Sequence, residues 1–307
     1  MSSIVDFTNF RFRASSGGRL AAGMKVGLSE AQEKSYQHLV AKNEVGGLTT
    51  NQVKSLGDLY EKRDATPSLS VGCKNWLKTT HWQEVTGRRE IISNWYTEKG
   101  LRVEQDSLST HNKLTKTFKR KNEKHFKNAF FQGTPDEFDK VKVRDIKSNF
   151  TLNTFPIHET RIKNDIYFWQ LQIYMDLLKL KQAELIYVLE NTPTDIVNDV
   201  LKSLDWKYKT SNIEGTIYPA AISLVVETVT NHLFTFDALN EFCQQSSNVK
   251  REWFDNFIEL PAQMRVKVFE LDYDPEAIKS LKRQAISARK YLNSLSLETA
   301  ERLFVTL

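Results

Sequence analysis

The chain has 307 residues, 40% of them hydrophobic and 26% charged. That balance suits a globular protein with a sizeable core and excludes a disordered chain. No apolar run approaches the roughly 18 residues that suggest a membrane span. Two cysteines, Cys73 and Cys243, exclude both a disulfide scaffold and a four-cysteine iron–sulfur cluster. The net charge of +5 is only mildly basic, and its distribution says more than its sum.

The opening stretch MSSIVDFTNFRFRASSGGRL has no apolar h-region, so a cytoplasmic protein is expected rather than a secreted one. A helix is predicted over 28–43, with Ser29 as N-cap and Gln32 three residues later. A second is capped by Thr49 or Thr50 and carries Val53, Leu56, Leu59 and Tyr60 at helical spacing. Residues 73–110 read as mostly helical, with Gly87 and Gly100 as punctuation. From Lys113 to Lys127 seven basic residues face one acid, Glu123, and such a patch suits a polyanion.

The β signal begins near Phe126. KNAFFQG and KVKVRDIKS are predicted to pair as a hairpin around PDEFD. The strongest helix pattern is 165–180, opened by Asn164 or Asp165. AELIYVLE at 183–190 reads as a strand. Residues 194–260 are mainly helical with a break at EGTIYP, and 264–272 alternate as a strand. The closing helix has Asp274 as N-cap and Pro275 at its first position. Helices and strands intermix around one small sheet, so the fold class is α/β. A single domain is expected: a mostly helical extension over 1–95, a core over 96–193 and 263–307, and a helical insert over 194–262.

The hairpin carries the chemistry. Along an extended strand Val141, Val143, Asp145 and Lys147 share one face, and Lys142, Arg144 and Ile146 the other. The valines imply burial, and charges at the end of a buried face cost several kcal/mol, roughly, unless paired or metal-bound. Asp136 lies across the turn, where a hairpin returns it to Asp145. Two carboxylates and a lysine at one strand end describe a site for a hard cation beside a positive charge. The competing reading is a surface hairpin with a local ion pair.

GTPD, eight residues, then DIKS resembles the PD-(D/E)XK nuclease signature, with Asp136 at its first position and Asp145 and Lys147 in its tripeptide. The Gly-Thr-Pro before Asp136 is similar to the lambda-exonuclease and YqaJ-type viral recombinase branch and to RecB-like nucleases. EKGLRVEQDSL resembles that branch's helix with a Gly-x-x-x-Glu pattern, where Glu104 matches the metal-site Glu and Glu98 is the alternative. YFWQLQIYM resembles its helix with a Gln and a Tyr four residues on, matched by Gln170 and Tyr174. The second acid is Asp here where close relatives often carry Glu, one methylene longer.

The resemblance implies a small mixed sheet flanked by helices and a metal-dependent DNA exonuclease acting on duplex ends. Asp136, Asp145 and Glu104 would hold Mg²⁺, with Mn²⁺ as a substitute. Lys147 would stabilise charge on the phosphate, and Gln170 would position phosphate or water. Lys119, Arg120, Lys121, Lys124 and Tyr174 would contact DNA. The same resemblance implies phage recombination or replication in the bacterial cytoplasm, a single-strand annealing partner, no membrane, and a homo-oligomer. The alternatives are an endonuclease, a single-strand nuclease, or a nucleic-acid binding module without catalysis.

Overall fold

A computed structural model describes residues 5–22, 24, 28, 30–64, 68–90 and 93–305. In chain order its first elements are β1 (Phe12–Arg13), α1 (Gly17–Ala21), α2 (Glu30–Glu44), α3 (Thr50–Asp64), α4 (Val71–Thr86), α5 (Trp95–Arg102) and α6 (Glu104–Thr115). Four short or medium strands follow: β2 (Phe126–Lys127), β3 (Phe131–Gly133), β4 (Glu137–Phe138) and β5 (Lys142–Ser148). Then come α7 (Asp165–Leu178), β6 (Gln182–Val188), α8 (Thr194–Tyr208), α9 (Ile222–Thr230), α10 (Phe236–Gln245), β7 (Val266–Asp272) and α11 (Pro275–Val305).

The expected cap at Ser29 lies outside the described residues. Thr49 closes a reciprocal box: its hydroxyl accepts from the Gln52 amide at 3.4 Å, and the Gln52 side chain accepts from the Thr49 amide at 3.0 Å. Gly87 ends α4 with φ +65°, a conformation cheap only for glycine. Gly100 does not break its helix as expected. It sits inside α5, and the break falls at buried Val103, which joins α5 to α6. Asn164 caps α7 by accepting from the Ile166 amide at 2.9 Å.

The chain divides into two compact units, residues 1–89 with 127–132 and 274–307, and residues 90–126 with 133–273. In the first, α1, α4 and α11 pack together over Phe12, Leu20, Leu77, Phe131, Leu281 and Leu292, all buried. Strand β1 pairs parallel with β3, Phe12 opposite Phe131. Arg289 on α11 donates to the Phe10 carbonyl at 2.8 Å.

The second unit holds a four-stranded mixed sheet in the order β4-β5-β6-β7. Strands β5 and β6 run parallel and the outer pairs antiparallel. Helix α7 makes the crossover that a parallel pair requires. Helices α8, α9 and α10 form a satellite core around Val197, Val225, Val229, Leu239 and Phe242. Among the described residues no helix is long and apolar enough to cross a membrane.

Two expectations about the hairpin are corrected. KNAFFQG is not the partner of β5; that partner is two-residue β4, with Glu137 opposite Arg144 and Phe138 opposite Val143. The turn forms at Asp139, whose carboxylate accepts from the amides of Val141 (2.7 Å) and Lys142 (3.0 Å), a local bond that favours Asp in turns. Val141 therefore lies in the turn, 59% exposed, and not on a buried strand face. Strand β5 is also buried on both sides, from Val143 to Ile146, because a central strand of a parallel pair is covered on both faces. Helix α6 covers the Ile146 side through Leu108, and Ser107 and Ser148 share a hydroxyl contact at 2.7 Å. Helix α7 covers the side of Val143 and Asp145.

One buried charge stands apart from the sheet. Lys99 on α5 is fully buried. Its ammonium donates to the Phe150 carbonyl at 2.8 Å and lies over the rings of Phe150 and Phe234. Burial lowers its pKa to about 7 against the opposing pull of Glu190. Between that value and its unfolded pKa the unfolded chain binds the extra proton, so stability rises with pH across the window, by at most about 1.4 kcal/mol per pH unit. Thermal melts of Lys99→Met should show a flatter pH dependence between pH 7 and 10 than the unaltered protein. Equal slopes would show that Lys99 stays charged throughout.

Candidate active site

The site lies on the α7 side of β5. Asp145, on the buried middle of that strand and 1% exposed, has each oxygen assigned. Oδ1 accepts from Gln170 Nε2 at 3.0 Å. Oδ2 lies 2.7 Å from Lys147 Nζ, yet it accepts no well-directed hydrogen bond among the described residues. The Gln170 amide also reaches the Tyr174 hydroxyl at 3.1 Å, and that hydroxyl donates to the Thr134 carbonyl at 3.2 Å. Gln170 Nε2 thus donates to two groups of the same site, Asp145 and Tyr174.

Asp136 arrives by a different route. Strand β4 begins only at Glu137, so the Ile146 amide has no strand partner at the next register. Asp136 Oδ2 accepts it at 2.7 Å. The backbone before it is turned away toward Asn122, which donates its amide to the Asp136 carbonyl (2.7 Å) and its side chain to the Pro135 carbonyl (2.9 Å). This exchange of a strand bond for a carboxylate places Asp136 against Asp145.

The electrostatics follow from that crowding. Burial, and then the Asp145 charge, push Asp136 up to about 7, against the opposing effects of Lys147 and the Ile146 amide. Burial alone would depress Lys147, but Asp145 and Asp136 overcome it and hold the ammonium charged, well above its ordinary range. Burial and the Asp145 charge raise Tyr174 well above a usual phenol. Lys147 also lies 5.3 Å from the centre of the Tyr167 ring, a cation–π contact.

Glu104 opens α6, half-buried, with its carboxylate ion-paired to Lys121. It is close enough to add to the rise at Asp136. Glu98 instead pairs with Arg102 at 3.7 Å, so of the two candidates Glu104 is the one facing the site. Among the described residues no three of His, Cys, Asp and Glu stand close enough to hold a metal together; the structure brings together two carboxylates, with Glu104 beside them. That pair fits a hard cation. Mg²⁺ is commonly held by one or two carboxylates with waters and substrate phosphates. The buried Oδ2 of Asp145 and the raised Asp136 are both groups that such a charge would satisfy.

The basic segment is less free than its composition implies. Lys119 is committed to Glu137 (3.2 Å) and Asp139 (3.3 Å), and Lys121 to Glu104. Arg120 and Lys124 have no carboxylate partner among the described residues and lie over Phe118 and Phe126. Phe118 is exposed, whereas Phe131 is fully buried. One group of the site, Thr134, was not singled out from sequence. It acts through its backbone carbonyl, which leaves no trace in residue type. Tyr167 precedes Gln170 by three positions, and that spacing sets it on the same side of the helix as Gln170 and Tyr174.

No family model matches the sequence, and no curated protein does. Solved structures do. A phage-related exonuclease from Haemophilus somnus 129PT is 18% identical with a TM-score of 0.55, over 95% of this chain and 97% of that one. An alkaline exonuclease from Laribacter hongkongensis is 11% identical with a TM-score of 0.50, over 98% and 96%. The chain shares the mixed α/β fold of these two solved structures.

Replacing one of two crowded carboxylates tests this electrostatic account without any substrate. From about pH 4 to 7 folded Asp136 holds a proton that the unfolded chain releases, so its contribution to stability is lost as pH rises through that window. Asp136→Asn keeps an acceptor for the Ile146 amide and removes the charge. In metal-free buffer its melting temperature should exceed that of the unaltered protein by at least about 2–4 °C at pH 8, by less at pH 5, and match it near pH 4. A variant no more stable at pH 8 than at pH 5, relative to the unaltered protein, would refute the crowding.

Proposed function

We propose that the protein is a metal-dependent DNA exonuclease that hydrolyses phosphodiester bonds from duplex ends. One observation carries the proposal: Asp136, Asp145, Lys147 and Gln170 converge on one side of β5 within a fold shared with exonucleases. Asp136 and Asp145, with Glu104 adjacent, would hold Mg²⁺ or Mn²⁺, which supplies Lewis-acid polarisation of the phosphate and lowers the pKa of water.

The remaining work falls to the side chains. Lys147 stays charged and can neutralise the negative charge that the phosphate gains as water attacks in line. Its stem is steadied by the Tyr167 ring and its head by Asp145. Gln170 holds Asp145 in one orientation, and its own orientation is fixed by Tyr174 and, through it, Thr134. Such a chain of contacts limits reorganisation during the reaction, where most of the electrostatic gain lies. Arg120 and Lys124 are the cations best placed to follow a phosphate backbone, with Lys119 and Lys121 already engaged. Products with a 5′-phosphate and a 3′-hydroxyl are expected. The setting proposed with this activity is phage recombination in a bacterial cytoplasm beside a single-strand annealing protein, on the strength of the fold alone.

The test is digestion of linear and covalently closed duplex DNA with Mg²⁺ or Mn²⁺, beside Asp145→Ala and Lys147→Ala. Loss of the linear form only, reduced at least about 100-fold in both variants, is the expected result. Cutting of the closed circle would replace end-dependent action with endonuclease action. Degradation that neither substitution affects would remove this site from the reaction.

A further inference from the structure

A cavity of about 270 Å³ opens beside the site, between the segment that follows β5 and the start of α7. Its volume is just under the roughly 300 Å³ at which pockets for drug-sized molecules begin, so it is sized for a single base and not for a base pair. Its walls are aromatic: Phe155, Tyr167, Tyr187 and Phe269 line it. Tyr167, Tyr187 and Phe269 form a chain of edge-to-face contacts, with centroids 6.1 and 5.8 Å apart. That chain runs out from Lys147, whose ammonium lies over Tyr167 and whose strand partner on β6 is Tyr187.

The rim carries Arg161, Lys163 and Glu159. Arg161 is exposed and makes no ion pair or hydrogen bond among the described residues, while its neighbour Lys163 is tied to Glu159. Lys267 lies over the Phe269 ring at 5.6 Å. Aromatic walls accept any base through its π-face, and nearby cations hold the adjoining phosphate.

We propose that this cavity is a nucleobase subsite, taking the unpaired base of a nucleotide adjoining the phosphate at Asp136 and Asp145, with Arg161 holding a neighbouring phosphate. The proposal rests on the nuclease reading and extends it to the substrate: the strand enters with at least one base unpaired and stacked in the protein. Tyr187 is then a specificity determinant, through its ring and not its hydroxyl.

The experiment uses the full chain and DNA carrying 2-aminopurine at each of the two end positions in turn. Binding is read with Ca²⁺ in place of Mg²⁺, and digestion with Mg²⁺. Fluorescence should be quenched at one position, retained in Tyr187→Phe and in Asp145→Asn, and lost in Tyr187→Leu. In parallel, an abasic nucleotide at that position should lower kcat/KM about 10-fold, a difference that disappears in Tyr187→Leu. Arg161→Ala should raise KM for both substrates with little change in kcat. Normal digestion with no quenching and no sensitivity to the abasic nucleotide would overturn the subsite and leave the nuclease reading intact. If no DNA is digested, the nuclease reading fails, and quenching alone decides the cavity: loss in Tyr187→Leu but not Tyr187→Phe supports a base site, and no quenching overturns it.

Discussion

The hydrogen bond from the Ile146 amide to the Asp136 carboxylate is the contact on which the site depends. A backbone donor inside a sheet must find an acceptor, and a longer β4 would supply one from its own backbone. Because β4 is two residues long and the Pro135 carbonyl is turned to the Asn122 side chain, the acceptor is a side chain. That substitution anchors a second carboxylate beside Asp145 with main-chain precision. It also explains why the two charges stay together despite their repulsion: moving Asp136 away would orphan a buried amide, at a cost of about 1–3 kcal/mol.

The other side of β5 carries the opposing charges. Arg144 is ion-paired to Glu137 on β4 and Glu184 on β6, both at 2.6 Å, and to Asp139 in the turn at 2.9 Å. Lys142 links Glu184 to Glu270 on β7. This cluster therefore touches all four strands. Arg144, Glu137 and Glu184 are buried or nearly so, while Asp139 and Glu270 reach solvent, and buried ions are tolerated only when paired. A one-residue slip of β5 would exchange its two faces, bringing Asp145 among Glu137 and Glu184 and Arg144 under α7. The cluster thus fixes the register that sets Asp145 and Lys147 toward Gln170, although none of its members belongs to the reacting set.

Much of this arrangement was legible in the sequence, for definite reasons. Asp145 and Lys147 stood out because charged groups interrupt an apolar strand pattern where only pairing makes them tolerable, and Gln170 stood out through the resemblance of its helix to that of the nuclease branch. Helix α7 was legible because its apolar pattern is long and its cap, Asn164, is of the right type. The pairing of β5 was not. KNAFFQG has higher β propensity than PDEFD, but Phe131 finds its partner in Phe12, some 119 positions away, and no local pattern reports so distant a contact. The break at Val103 was also hidden, since tertiary packing of one valine outweighed the helix-breaking tendency of Gly100. Burial of the face that carries Lys142, Arg144 and Ile146 was not legible, because a single sequence does not reveal that α6 covers it.

The ion pairs of Lys119 and Lys121 bear on how strongly ionic strength would govern attraction to a polyanion. Only a cation that neutralises a phosphate displaces a condensed counter-ion, at about 0.9 in the slope of log K against log salt. Of the seven basic residues between Lys113 and Lys127, these two already neutralise carboxylates of the protein itself. Composition therefore overstates by two the counter-ions this segment can release, and its grip on a charged strand would weaken less steeply with added salt than a count of lysines implies.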